Sequence, residues 1–203
     1  MLAYYFLGLL LAHGSLGHSR KNVLEVGPGS GNLASLILHY FPDAKVTLVD
    51  LPETMQLSFF YLRSLFPNRL HLLPNELSIP GAKGANCTFL TPAQLGVLSD
   101  TSIDLAVNIH SFQEMLYPQI DAYFSTFDRV LAHGGHSLIV NRAEKSPTPM
   151  EVSSDGSDCI RFGEYPWPTS WRDRLYLTSA FHRLVQPDNV FIRVSVKEGV
   201  AVE

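Results

Sequence analysis

The sequence predicts an α/β protein built on a mostly parallel sheet, with helices on both faces and a late antiparallel pair at the edge. Three observations predict it. Apolar residues are 46% and charged residues 17% of 203, enough for one domain with a real core. Strand-like apolar runs alternate with helix-period segments from residue 22 to residue 143. The first of these runs, "NVLEVG" (22–27), ends in a glycine-rich loop, as a buried parallel strand entering a helix does.

The elements follow in order along the chain. "MLAYYFLGLLLAHGSLGHSR" opens with an apolar stretch from Leu2 to Ala12. It is too short to span a bilayer, lacks a positive n-region and has no obvious A-x-A-like site. An amphipathic or buried helix is the expectation, with residues 1–21 an N-terminal helical segment; a chain missing upstream residues would begin as abruptly. After the first strand, "SGNLASLILHYF" (30–41) places Leu33, Leu36, Ile37 and Tyr40 on one helical face. "AKVTLVD" (44–50) reads as a strand and "PETMQLSFFYLRSLF" (52–66) as a helix, with Pro and Glu in its first turn. Residues 74–86 read as loop. "CTFLT" (87–91) and "IDLAVNIH" (103–110) read as strands, "YPQIDAYFSTFDRVLA" (117–132) as a helix ended by "HGG", and "HSLIVNRA" (136–143) as the next strand. Residues 144–177 are rich in Pro, Gly and Trp and read as a substrate-side loop, with one short helix near 170–177. "LTSAFHRLVQP" and "NVFIRVSVKEG" read as two strands joined at "PDN". The whole of 1–203 is taken as one domain.

The loop "GPGSG" carries the chemistry. Ligands of open parallel sheets bind at the carboxyl ends of the strands. Gly27, Gly29 and Gly31 let the backbone approach a ligand there, at the N-terminus of the next helix. The dinucleotide fingerprint is G-x-G-x-x-G, but the third glycine here comes one position early and Asn32 stands where the fingerprint needs glycine. Glu25, two residues before Gly27, would repel a pyrophosphate. It would attract an ammonium or sulfonium by about 4 kcal/mol at ~4 Å and intermediate dielectric. Asp50 ends the second strand, where a carboxylate can accept both hydroxyls of a ribose. A ribose and a cationic amino-acid end together describe S-adenosylmethionine (SAM).

"LEVGPGSG" followed by "TLVDLPE" resembles the first two motifs of class I SAM-dependent methyltransferases. "VDLPETMQLSFFYL" with "IDLAVNIHSFQEM" (103–115) is similar to the sugar O-methyltransferase group. The resemblance covers roughly residues 22 to 142. It implies a Rossmann-like methyltransferase fold, doubly wound, with seven strands and an antiparallel C-terminal edge strand. It also implies that Glu25, Gly27, Gly29, Gly31 and Asp50 surround the cofactor, and Leu51 beside Asp50 is expected with them. Members of this group carry a substantial region before the glycine strand, whereas about 20 residues precede it here.

Methyl transfer to a sugar hydroxyl needs the oxygen aligned behind the methyl group and a base for its proton. "NIHSFQEM" begins where the fourth strand ends beside the cofactor. His110 is the first candidate base, because its ordinary pKa lies near neutrality. Glu114 is the second candidate, as base or hydroxyl acceptor. Asn108 is expected on the cofactor side, and Gln113 against substrate hydroxyls. In "EYPWPTSW" (164–171), Tyr165 and Trp167 either cover a saccharide ring or anchor the loop to the core. His133 and His136 have no carboxylate beside them, and a metal-free reaction is expected.

The expected function is a SAM-dependent O-methyltransferase acting on a sugar or sugar-bearing small molecule. Two alternatives stay open: an NAD-dependent oxidoreductase, and a methyltransferase-like domain that binds without turnover. The net charge of −4 with no Lys/Arg run argues against a nucleic-acid partner. Two cysteines, Cys87 and Cys159, are too few for a disulfide framework, so a cytoplasmic location is expected. No stable membrane insertion is expected, and a homo-oligomer is left open.

Overall fold

The computed structural model describes residues 1–17, 21–78, 84–145, 159–179 and 189–199. Its centre is an eight-stranded sheet in the order β3 (His71–Leu72), β4 (Cys87–Leu90), β2 (Lys45–Val49), β1 (Asn22–Val26), β5 (Ile103–Ile109), β6 (Leu131–Arg142), β10 (Val190–Lys197) and β9 (Trp171–Thr178), with β7 (Glu144–Lys145) and β8 (Ile160–Arg161) paired apart from it. The central strands are β1, β2, β4, β5 and β6, all parallel. The helices between them are α2 (Asn32–Tyr40), α3 (Pro52–Leu65) and α4 (Tyr117–Val130), after an N-terminal α1 (Leu2–Ala12). Pro at the start of α3, Glu53 in its first turn and Arg63 in its last match the helix dipole, and fix its boundaries close to those expected.

The sheet departs from expectation at its two ends. One edge gains a two-residue strand, β3 (His71–Leu72), which makes eight strands where seven were implied. At the other end the expected antiparallel pair forms the edge, with β10 (Val190–Lys197) antiparallel to both its neighbours and β9 (Trp171–Thr178) outermost and earlier in the chain than expected. The segment expected to hold a short helix near 170–177 is this edge strand. Arg172, Asp173 and Arg174 are exposed there and hide the apolar alternation that marks a strand. Most of "LTSAFHRLVQP" lies outside the described residues; Leu177 and Thr178 close β9. β6 also starts earlier than expected. The "HGG" taken for a helix stop sits inside it at a break in register, with Gly134 at φ +74°.

Each face of the sheet is covered. One side packs β-strand residues such as Val46, Leu105 and Val140 with Phe6, Leu7 and Leu10 of α1 and with Leu33, Ile37 and Leu62. α1 is therefore part of the core, and the buried Ser15 hydroxyl meets His136 Nδ1 of β6 at 2.8 Å. The other side holds Phe124 and Phe127 of α4 with Phe112, Phe162, Tyr165 and Trp171. The start of β1 is pinned by Asp104, whose Oδ2 accepts the backbone N–H groups of Lys21 (3.0 Å) and Asn22 (2.9 Å). β1 and β5 then run in register to Val26 opposite Asn108, so the glycine loop emerges beside the turn that follows β5. Among the described residues no helix is long and apolar enough to cross a membrane.

Candidate active site

A cavity of about 670 Å³ opens over the carboxyl ends of β1, β2 and β5. Gly27 and Gly29 of the loop, with Asp50, Leu51 and Thr54 beyond β2, form one wall. Pro92, Leu95 and Ile109 add apolar lining. His110, Ser111, Glu114 and Met115 form a second stretch of wall, and Gln119, Tyr123 and Thr126 of α4 complete the lining.

The glycine loop is shaped by three left-handed residues, Gly27, Gly29 and Gly31, with different surroundings. Gly27 (φ +71°) donates its N–H to Val49 O at 2.9 Å, and a Cβ there would stand 2.2 Å from Ser111 Cβ. Gly29 (φ +55°) has nothing within 4 Å of a Cβ, so its backbone lies open to the cavity. Gly31 is buried and caps α2.

Two carboxylates stand behind and beside this loop. Glu25 is 4% exposed, and its Oε2 has no hydrogen-bond partner. Burial, and then the charge of Asp50, push its carboxyl up to about 8. Asp50 is raised as well, by burial; the N–H groups of Leu51 and Gly29 act in the other direction, the former bonded to Oδ1 at 2.8 Å. Neither carboxylate has an ion-pair partner among the described residues. An unpartnered buried carboxylate oxygen lowers its cost by taking a cation or a proton. A half-buried one with its own backbone donors stays ready for hydroxyls. Together with the apolar lining of the cavity, these residues fit a nucleoside with a positively charged tail.

On the other wall, His110 is held in a left-handed conformation (φ +65°), with its N–H donated to Val140 O at 2.7 Å. Its Nδ1 faces Gln113 Oε1 at 3.4 Å. Burial lowers its imidazole pKa, against the Gln113 bond and Glu114, with Arg142 acting in the same direction as burial. Glu114 is exposed in the cavity wall. Asn108 is fully buried and lies outside the wall: its Nδ2 donates to Val26 O (3.1 Å) and to Ser111 Oγ, and its Oδ1 accepts Phe112 N–H (3.3 Å) and Asn141 Nδ2 (2.9 Å). Gln113 also lies outside the wall. Tyr165 and Trp167 pack in the core cluster beneath α4, where Trp167 Nε1 donates to Phe162 O at 3.1 Å and Arg193 covers its ring at 3.9 Å. The structure thus gathers Gly27, Gly29, Asp50, Leu51, His110 and Glu114 at one cavity. It sets Glu25, Gly31, Asn108 and Gln113 behind its walls, and places Tyr165 and Trp167 in the core.

Sequence reading passed over Tyr123, Met115, Gln119 and Thr126. Tyr123 shares the helical stripe of Ile120, Phe124 and Phe127 and so looks like core. Yet its hydroxyl, raised to about 12 by burial and by Asp50, belongs to the cavity. Its signal was a hydroxyl on an otherwise aliphatic and phenyl stripe. Among the described residues no three His, Cys, Asp or Glu side chains gather within metal-binding reach. His136 bonds Ser15, while His133 Nδ1 faces Glu198 O at 3.3 Å.

A family profile described as "Methyltransferase domain" matches residues 24–139, more than half of the chain. Many solved structures share the fold. One from Galdieria sulphuraria, provisionally identified as a sarcosine dimethylglycine methyltransferase, is 13% identical with a TM-score of 0.68, covering 97% of this chain and 85% of that one. A SAM-dependent methyltransferase from Aquifex aeolicus is 16% identical with a TM-score of 0.57, covering 94% and 88%. A geranyl diphosphate C-methyltransferase from Streptomyces coelicolor A3(2), bound to Mg²⁺, geranyl diphosphate and S-adenosyl-L-homocysteine, is 10% identical with a TM-score of 0.60, covering 94% and 76%. No curated protein matches the chain.

Proposed function

The chain belongs to the methyltransferase domain family, and from that premise we propose that it transfers a methyl group from SAM to a hydroxyl of a sugar or sugar-bearing small molecule. The observation that carries the reading is the gathering of a histidine and a carboxylate, His110 and Glu114, with Asp50 and the open glycine loop in the lining of one cavity. Family membership leaves no room for the nicotinamide alternative.

When bound, SAM supplies an electrophilic methyl carbon on a sulfonium. The protein's own residues do the rest. Glu25 gives up its proton to balance the cationic amino-acid end, and Asp50 accepts the ribose hydroxyls. Leu51, Pro92, Leu95 and Ile109 take the flat base out of water. His110, kept neutral near pH 7 by its depressed pKa, receives the proton of the acceptor hydroxyl as its oxygen attacks. Glu114 accepts a hydrogen bond from a neighbouring hydroxyl and orients the ring. Asn108 acts from behind the wall by fixing the end of β5 against the glycine loop. Because the rings of Tyr165 and Trp167 are engaged in the core, polar groups of the wall, His110, Ser111, Glu114 and Gln119, are left to read the acceptor.

The test is methyl transfer from labelled SAM to a panel of free sugars, glycosides and nucleotide sugars, with amine and carbon acceptors alongside. Label should reach a sugar oxygen, and His110→Asn should lower kcat about 100-fold or more with SAM affinity unchanged. Transfer only to nitrogen or carbon, no transfer at all, or full activity in His110→Asn would each defeat this reading.

A further inference from the structure

We infer that Gln113 is a positioning residue that fixes the tautomer and orientation of His110, and not a ligand of the acceptor. The inference rests on the proposed role of His110 as the base, but its first readout does not.

Arg142 N–H ends β6 and donates to Gln113 Oε1 at 3.1 Å. A backbone N–H can only donate, so the end of the amide that it meets is the carbonyl oxygen. The amide nitrogen then falls on the other side, where Nε2 donates to Glu114 Oε1 at 3.3 Å, as an NH₂ beside a carboxylate must. The same Oε1 faces His110 Nδ1 at 3.4 Å. An oxygen acceptor there requires the ring nitrogen to carry hydrogen, so neutral His110 is the Nδ1–H tautomer and its lone pair is on Nε2.

Gln113 is itself held. Its backbone N–H donates to Asn141 Oδ1 at 3.1 Å, and Asn141 Nδ2 donates to Asn108 Oδ1 at 2.9 Å. Asn108 and Asn141 are both fully buried. The chain of amides therefore runs from Val26 O of β1, through β5 and β6, to the imidazole. His110 needs such a support because its left-handed backbone is strained for a residue with a Cβ. Among the described residues, the charged groups that act on the ring are Arg142 from the end of β6 and Glu114 from its own turn, and they act in opposite directions on its pKa.

The experiment is ¹⁵N NMR of histidine-labelled protein, with the His110 signals assigned by their loss in His110→Asn. The wild type should show Nδ1 protonated at a pH where the ring is neutral, and Gln113→Leu should show a mixture of tautomers. In kinetics, Gln113→Leu should lower kcat roughly 10- to 100-fold with the acceptor KM nearly unchanged. Gln113→Glu, which keeps the acceptor oxygen, should restore most of the rate and move the acidic limb of the pH–rate profile upward. A wild-type Nε2–H tautomer, or a loss in Gln113→Leu carried by the acceptor KM, overturns the inference. Full activity in His110→Asn instead overturns the base role and leaves the tautomer to be judged by the spectrum alone.

Discussion

The two walls of the cavity are made by different means. The cofactor wall is made by backbone: three left-handed glycines bend the chain, and Glu25 and Asp50 bring charge to the bend. The acceptor wall is made by side chains, with Asn108, Asn141 and Gln113 linked into a bracket that holds one strained histidine. The first wall was legible because glycine and acid spacing is a local signal. The bracket was not, since it joins residues as far apart as Val26, Asn108 and Asn141, and an amide has no periodicity that reveals its partner. The comparison teaches that a single substitution on the first wall removes a contact, while one on the second moves a geometry.

Gly27 is where the two walls touch, and the largest effect is expected there. Gly27→Ala drives a methyl into Ser111 and puts a side chain at φ +71°. Melting should fall by roughly 6–12 °C, from a loss of about 3 kcal/mol or more, and SAM affinity should drop beyond measurement. Calorimetric melting and titration would check both. A stable variant that binds SAM would mean that the walls are not coupled.

Glu25→Gln sharpens the contrast by touching the cofactor wall alone. Its carboxyl is raised from 4.5 to about 8, so the folded chain without ligand holds this proton more tightly than the unfolded chain does. That contribution to stability is complete below pH 4.5 and is lost as pH rises through about 8. The glutamine variant should therefore melt above the wild type at pH 9, with little difference at pH 4. Its affinity for SAM should be lower by about tenfold or more. In the wild type, that affinity should rise with pH up to about 8, since binding expels the proton. Titrations at pH 6 and 9 in two buffers of different ionisation enthalpy would show the proton release; equal affinity for wild type and variant would break the account.

Gly29→Ala is the smallest of the three. Nothing lies within 4 Å of the added methyl, so only the left-handed strain remains, about 1–2 kcal/mol. Melting should fall by roughly 2–8 °C and SAM affinity by about tenfold, less than in Gly27→Ala. Equal losses in the two variants would mean that φ, and not the Ser111 contact, governs the loop.

Much of the fold was legible for the same reason as the cofactor wall. β1, β2, β4 and β5 are buried on both faces and read as apolar runs, and α3 begins on Pro52 and Glu53. Misreadings fell where one signal served two purposes. Gly134 and Gly135 look like a helix stop but break the register of β6, and the charged face of β9 looks like a helix because an edge strand shows water one side. Tyr165 and Trp167 left two readings open because aromatic faces serve a sugar and a core alike, and only packing separates them.

β10 takes its place between β6 and β9 although it follows both of them in the chain. During synthesis β6 must therefore wait with one side unzipped, and β9 has no neighbour to join until residues 190 to 197 arrive. A ribosome that stalls before that point leaves a nascent molecule whose glycine loop has already emerged but whose flank can still pair with a stranger.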